Sequence, residues 1–358
     1  MNAARTAVDL DDPDGLLEAD HEGLLRFAAM AGAQVRATGT AVDEGALEPI
    51  AGGARPRTVI WLAGRGPAEA AGAMLAAALG GSAAQPLVTA AASPPWIGPL
   101  DVLVVAGDDP GDPALVTAAG TAARRGARVV VAAPYEGPLR EATAGRAAVL
   151  DPRLFVPDEF GLCRYLAVGL AVGAAVDPGL PADLVTLADD LDAEALRNSP
   201  AREVFTNPAK ALADRLSGRP GVLAGDGPAT VALARHAAAV LLRVAGHTVT
   251  PAGLGDLLTA VRAGRFGAAV DDLFHDEEID GPRTGRPRLI ALALAAERTL
   301  LEARLAGAGD VELLGAQDVG DTGSVPTAAA GAEHQLAVLA LRFEMTAVYL
   351  RLAAGVGG

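Results

Sequence analysis

The sequence predicts an α/β protein with two domains, each an α-β-α sandwich in which a parallel sheet is flanked by helices. Short apolar runs without polar alternation are typical of strands buried on both faces, and along this chain they alternate with helical segments. Turns containing glycine and proline follow the strands, and the pattern occurs twice. A length of 358 residues agrees with two domains of ordinary size.

The first half begins with helical segments between residues 10 and 50. Apolar runs then predict strands at 57–63, 87–90, 101–106, 128–133 and 148–150. Periodic apolar residues predict helices at 68–79, 114–125 and 160–176. The last of these helices is apolar on all sides, which indicates burial between layers or at a dimer face.

The second half repeats this alternation after a helix at 182–195. Strands are predicted at 221–225, 288–294 and 311–314, and a short extended piece at 248–251. Helices are predicted at 209–216, 230–245, 254–263, 295–306 and 335–353. We therefore divide the chain into an N-terminal helical segment (1–50), a first domain (51–180) and a second domain with a long C-terminal helix (181–358).

Charge and composition argue against several classes of protein. With 29 Lys and Arg against 44 Asp and Glu, the formal net charge is −15, so neither nucleic acid nor an anionic membrane is expected as a partner. Cys163 is the only cysteine, so no disulfide framework or cysteine-based metal site is expected. No apolar run is long enough for a transmembrane helix. The acidic N-terminal residues are unlike a signal peptide, and a cytoplasmic protein is expected.

Two strand-to-helix turns are the candidate ligand-binding sites, because open α/β sheets bind ligands at the carboxyl ends of strands, near helix N-termini. In the first turn, Gly64, Arg65 and Gly66 could hold a phosphate or a carboxylate through backbone N–H groups and the guanidinium. Alternatively, they form only a tight turn with a solvated arginine. The spacing does not match the Gly-x-Gly-x-x-Gly fingerprint of dinucleotide-binding proteins, and no cofactor is predicted.

In the second turn, Asp108, Asp109 and Asp112 surround Gly111. Carboxylates at the start of a helix stabilise the helix dipole and repel an incoming phosphate. Acidic loops also bind hard cations, but this spacing fits no EF-hand pattern. Capping and solvation are therefore favoured over a metal site, and no metal is predicted.

The sequence does not identify a catalytic group. Arg235, His236 and His334 are weak candidates, and each histidine is better explained by a structural or solvated role. His275 lies in an acidic setting that favours the protonated ring. Possible general bases are Glu159, Glu277, Glu278 and Glu344, but none is paired with an acid at a defined separation. No serine has the Gly-x-Ser-x-Gly setting of a hydrolase.

Four segments carry a resemblance to a known family: residues 10–15 (Leu-Asp-Asp-Pro-Asp-Gly), 31–36 (Ala-Gly-Ala-Gln-Val-Arg), 207–213 (Asn-Pro-Ala-Lys-Ala-Leu-Ala) and 343–355. Through them the chain resembles the sugar isomerase (SIS) family, specifically the bifunctional phosphoglucose/phosphomannose isomerases and their actinobacterial TobH-like branch. The resemblance implies two SIS domains and a homodimer with its active site at the junction of domains and subunits. It also implies interconversion of aldose and ketose phosphates through an enediol, with no metal or organic cofactor.

The turns depart from the pattern of that family. The family's first turn ends in a serine that helps to hold phosphate, where this chain has Ala68. The family's second turn reads Ser-x-Ser-Gly-Asn-Thr, whereas residues 108–113 read Asp-Asp-Pro-Gly-Asp-Pro. The hydroxyl groups that the resemblance assigns to phosphate binding are therefore missing.

The family's acid–base residues are also replaced. The ring-opening arginine follows a proline before the long helix, but here Asp158 follows Pro157. The positions of the base glutamate and the catalytic histidine fall near Ala239 and Gly255. The family expects a lysine near the start of the final helix, and the only lysine of this chain is Lys210.

These observations favour an SIS-fold homologue with a degenerate active site, which binds a sugar or sugar phosphate or regulates carbohydrate metabolism as a homodimer. The alternative is an active aldose–ketose isomerase with a rebuilt site that uses Arg65, Arg235, His236 or His334. A structural or regulatory protein with an unrelated ligand is the third hypothesis. Because fold alone does not determine activity, the choice depends on the site.

Overall fold

The computed structural model describes residues 8–180, 182–266, 286–318 and 331–355. The chain divides into two compact units. The first-sheet unit comprises Arg26–Leu196 and Ala332–Leu341, and the second-sheet unit comprises Met1–Leu25, Arg197–Gly331 and Arg342–Gly358. The division at residues 50 and 180 stays a prediction.

The first part of the chain alternates helices with five strands. The strands are β1 (Thr58–Ala63), β2 (Leu87–Ala90), β3 (Asp101–Ala106), β4 (Arg128–Ala132) and β5 (Ala148–Val149). The helices are α1 (Pro13–Ala19), α2 (Leu24–Ala29), α3 (Ala31–Asp43), α4 (Gly66–Leu79), α5 (Pro113–Arg124), α6 (Gly137–Thr143), α7 (Leu162–Val176) and α8 (Leu184–Arg197).

The second part alternates in the same way. Its strands are β6 (Gly221–Gly225), β7 (Val249–Gly253), β8 (Arg288–Ala293) and β9 (Val311–Gly315). Its helices are α9 (Pro208–Leu216), α10 (Pro228–Ala245), α11 (Leu254–Arg262), α12 (Arg298–Leu305) and α13 (Ala332–Ala353).

Both sheets are parallel, with strand orders β2-β1-β3-β4-β5 and β7-β6-β8-β9. β1 and β3 are buried along their whole length, as their unbroken apolar runs predict. The strand order changes direction between β1 and β3 in the first sheet and between β6 and β8 in the second. The predicted fold class is confirmed, and each sheet has a switch point where α/β proteins bind ligands.

Prolines set the start of several helices. Pro67, Pro113, Pro208 and Pro228 occupy the first or second helical position of α4, α5, α9 and α10. Proline fits there because its fixed φ suits the helix and its missing N–H has no intrahelical partner at that position. These helices therefore begin one or two residues before their predicted starts.

By length and composition, α10 would be long and apolar enough to cross a membrane, alone among the helices of the described residues. More than half of this helix is buried inside the protein. Its buried face includes Leu233, Ala237, Val240 and Leu241, and it packs against β6 and β7 within the second-sheet unit. This is the arrangement of a core helix.

Candidate functional site

The turns after β1 and β3 lie against each other at the carboxyl edge of the first sheet. Gly64 follows β1, and Asp112 is the N-cap residue of α5. A Cβ atom built on Gly64 would lie 2.9 Å from Oδ2 of Asp112. A side chain at position 64 would therefore displace this carboxylate, which stands at the switch point of the sheet.

Carboxylates of the second turn already accept its backbone N–H groups. Asp112 Oδ1 accepts hydrogen bonds from the N–H of Ala114 at 2.8 Å and of Leu115 at 3.3 Å. Asp109 Oδ1 accepts one from the N–H of Gly111 at 2.7 Å. A helix N-terminus is a ready anion-binding site, and at α5 the protein supplies its own anion.

The first turn contributes a charge but no capping contact. Arg65 is the N-cap residue of α4 with an extended backbone, makes no side-chain capping bond, and is exposed. Gly66 has φ of +66°, a left-handed conformation that favours glycine. This turn is therefore built for a sharp reversal into α4, and the guanidinium of Arg65 faces solvent.

A cavity of about 300 Å³ lies in the first-sheet unit. It is lined by the loops that follow β3, β4 and β5 and by the first turn of α7: Gln34, Asp108, Pro134, Pro152, Leu154, Phe155, Val156, Pro157, Asp158, Gly161, Arg164 and Tyr165. Of the candidate binding residues from the two turns, only Asp108 lines it. The cavity is at the carboxyl edge, beside the two turns.

Three charged residues, Asp108, Asp158 and Arg164, line this cavity together with Tyr165. Burial raises the pKa of Tyr165 to about 12, with Arg164 acting to lower it and Asp158 and Asp108 to raise it. The guanidinium of Arg164 stacks over the Tyr165 ring at 4.2 Å from its centre. Arg164 lines the cavity, while its Nη1 atom is covered and has no hydrogen-bond partner.

Sequence reasoning missed Arg164. It is the only charged residue in α7, which is otherwise apolar apart from Tyr165. A single arginine in the first turn of such a helix was the available signal. The position after Pro157, where the family pattern has an arginine, is occupied by Asp158. In the structure Arg164, which belongs to α7, lines the same cavity as Asp158.

The three weak catalytic candidates do not form one cluster. Arg235 lies exposed on α10. His236 is buried, and its Nε2 lies 3.3 Å from Oε1 of Glu344. His334 belongs to the first-sheet unit, where its Nδ1 lies 3.1 Å from Oδ2 of Asp190. None of them lines the cavity that contains Tyr165.

The carboxyl edge of the second sheet holds a carboxylate that sequence reasoning also missed. Glu297 follows β8, and its Oε1 would lie 3.2 Å from a Cβ atom built on Gly227, which follows β6. Glu297 Oε2 is buried and has no hydrogen-bond partner. Burial is the main cause that raises the pKa of Glu297, and such a group at a switch point can act as a general acid or base.

The only lysine of the chain donates hydrogen bonds to backbone carbonyl oxygens. Lys210 is fully buried on α9, and its Nζ donates to the carbonyl oxygens of Pro200 at 2.8 Å and Arg202 at 2.7 Å. Its ammonium also lies 5.5 Å from the centre of the Tyr349 ring. These contacts account for Lys210 as a structural residue that holds the loop before α9.

No group of three or more His, Cys, Asp or Glu side chains within the described residues could hold a metal ion. His275, Glu277 and Glu278 lie outside the described residues. Glu159 lies in the short 3₁₀ turn before α7.

No model of a known protein family matches the sequence, and no curated protein sequence matches it. Solved structures match its fold. A protein described as a phosphosugar isomerase from Silicibacter pomeroyi is 18% identical with a TM-score of 0.60, covering 91% of this chain and 96% of its own. Tagatose-6-phosphate ketose/aldose isomerase from Escherichia coli is 13% identical with a TM-score of 0.59, covering 97% and 95%.

The C-terminal domain of glucosamine-fructose-6-phosphate aminotransferase from Francisella tularensis also matches, at 10% identity and a TM-score of 0.57, covering 95% of this chain and 96% of its own. At such identities the likeness establishes the fold, which is that of the SIS-type structures, while the chemistry of the site has to be argued from its residues.

Proposed function

We propose that this protein is an SIS-fold homologue of the phosphosugar isomerases that binds a sugar or sugar phosphate and does not isomerise it. The sequence resemblance suggests the phosphoglucose/phosphomannose isomerase group and its actinobacterial TobH-like branch. One observation carries the proposal: the carboxylate of Asp112 fills the N-terminus of α5 at the switch point of the first sheet.

A phosphate approaching this edge would meet charges of its own sign. Two like charges about 4 Å apart repel by roughly 1–4 kcal/mol between the limits of bulk water and a protein surface. Asp112 faces Gly64, and Asp108 and Asp109 stand in the same turn. The N–H groups of Ala114 and Leu115, which would otherwise bind the anion, are already taken.

Two polar residues of the cavity in the first-sheet unit, Tyr165 and Arg164, are poor general bases. The Tyr165 phenol keeps its proton because burial raises its pKa to about 12, and Arg164 is a poor base because arginine stays protonated. Isomerisation needs a positioned group to move the proton, and losing one such group typically costs about 10²–10⁴ in rate. Losing several that act together leaves little beyond binding.

The test is a coupled assay that follows conversion of glucose 6-phosphate or mannose 6-phosphate to fructose 6-phosphate. We expect no turnover above the uncatalysed rate. Turnover near 1 s⁻¹, at the low end of typical enzymes, would overturn the proposal. Binding is tested by thermal unfolding: a ligand at 100 times its Kd adds about 2.7 kcal/mol, which should raise Tm by about 5–10 °C.

The alternative function, an active isomerase with a rebuilt site, is favoured by one observation. Glu297 has a raised pKa and a buried oxygen without a partner at the second switch point. If the wild type turns over a hexose phosphate, Glu297→Gln should lower kcat by at least about 10². The control is Glu302→Gln on α12, whose carboxylate pairs with Arg298 on the surface and should leave kcat unchanged.

We further propose a cytoplasmic homodimer, with neither nucleic acid nor membrane as partner. A net charge of −15 supports the exclusion of polyanionic partners. Light scattering coupled to gel filtration tests the dimer, and a monomer mass at micromolar concentration would contradict it.

A further inference from the structure

We infer that the cavity lined by Asp108, Asp158 and Arg164 takes an unphosphorylated sugar or polyol. The inference rests on the proposed function, because it concerns the ligand of a sugar-binding protein, and it narrows that ligand to a neutral one.

Size limits the ligand to about one sugar ring. At about 30 Å³ for each water molecule of the liquid, a volume of 300 Å³ corresponds to roughly ten waters. This is the lower end of the range for small-molecule sites. A single hexose fits such a volume.

Charge selects against a phosphate. The charged residues that line the cavity are Asp108, Asp158 and Arg164, so its lining carries a formal charge of −1. All three residues line the same cavity. A phosphate dianion drawn toward Arg164 would therefore also approach two carboxylates.

The hydrogen-bonding groups of the cavity also favour a ligand with hydroxyl groups over a phosphate. A carboxylate only accepts hydrogen bonds and an arginine only donates them, while a hydroxyl does both. A phosphate dianion has no proton to donate to Asp108 or Asp158. A sugar can donate to these carboxylates and accept from the guanidinium of Arg164, which lines the same cavity.

An exposed aromatic ring completes the lining. Phe155 is 83% exposed, and its ring meets that of Phe27 edge-on with their centres 6.0 Å apart. Phe155 lines the cavity, so an apolar ring face lies beside the charged groups. This combination suits a ring that has both hydroxyl groups and C–H faces.

The test is isothermal titration calorimetry of the full chain with D-glucose, D-mannose and D-fructose and with the 6-phosphate of each. We expect at least one neutral hexose to bind at least tenfold more tightly than its own 6-phosphate. Tighter binding of the 6-phosphates would overturn this inference and leave the proposed function standing. Binding of none of the six would overturn both.

Two variants locate the selectivity. Asp108→Asn removes one charge and one acceptor, so the ratio of Kd for the 6-phosphate to Kd for the neutral hexose should fall at least tenfold. Glu136→Gln removes the same charge from an exposed residue after β4 that does not line the cavity, and it should leave this ratio within twofold. Equal effects of the two variants would show that general charge, and not this cavity, discriminates.

Discussion

Replacing Asp112 separates its two roles, as a helix cap and as a barrier to anions. Asp112→Ala removes both hydrogen bonds to the N–H groups of Ala114 and Leu115. Losing an N-cap side chain costs about 0.5–2 kcal/mol, and losing a negative charge at a helix N-terminus about 0.3–1 kcal/mol more. We expect the free energy of unfolding to fall by about 1–3 kcal/mol.

Urea denaturation followed by tryptophan fluorescence measures this loss. Both tryptophans, Trp61 and Trp96, belong to the first-sheet unit, so their emission reports the unit that contains Asp112. With an m-value of about 2 kcal/mol per molar urea, the midpoint should fall by about 0.5–1.5 M. An unchanged midpoint would refute the capping role.

Asp112→Ser is the matched variant, because serine is also a favourable N-cap but carries no charge. Its free energy of unfolding should stay within about 1 kcal/mol of that of the wild type, because only the contribution of the negative charge at the helix N-terminus is lost. If the carboxylate excludes anions, inorganic phosphate at 10 mM should raise the Tm of Asp112→Ser more than that of the wild type. Equal shifts would show that Asp112 does not block an anion site.

The remaining predictions concern stability of the second-sheet unit and are checked by urea denaturation with circular dichroism. Burial raises the pKa of Glu344 above its ordinary value, so the folded state binds more protons and stability falls as pH rises above about 4.5. The free energy of unfolding of Glu344→Gln should therefore exceed that of the wild type at pH 7 by about 1.4 kcal/mol for each pKa unit of the rise. This difference should disappear toward pH 4.5. A difference that does not change with pH would contradict the prediction. Gly225→Ala should lower the free energy of unfolding severely, because the new Cβ atom would lie 2.3 Å from the backbone carbon of Thr230. Gly255→Ala on α11 places its Cβ atom in open space and should raise the free energy of unfolding by about 0.5–1 kcal/mol. Equal effects of the two variants would contradict the close packing at Gly225. Lys210→Met should lower the free energy of unfolding by about 2–4 kcal/mol, because two carbonyl oxygens lose a charged donor. An unchanged free energy of unfolding would show that water replaces the ammonium group as the donor.

The fold could be predicted from the sequence because each buried strand is an unbroken apolar run. β3 and β4 have such runs, and their alternation with helices indicates a parallel sheet. α6 was not predicted because a seven-residue helix is too short for its apolar period to be seen. β7 contains Pro251, which an edge strand tolerates, and only a short extended piece was predicted there.

The candidate site could be predicted only in part, because it depends on which strands are neighbours. The sequence identified the turns that contain Gly64 and Asp112, but their contact requires β1 to pair with β3. Arg164 reaches the cavity only because α7 begins at this edge. His236 and Glu344 are 108 positions apart, and no local pattern links them.

The exclusion of phosphate by Asp112 is tested most directly by a crystal structure of the wild type soaked with glucose 6-phosphate. We expect no phosphate within hydrogen-bond distance of the N–H groups of Ala114 and Leu115, with Asp112 Oδ1 still accepting from both. A phosphate bound at these two groups, with the Asp112 carboxylate turned away, would contradict this exclusion.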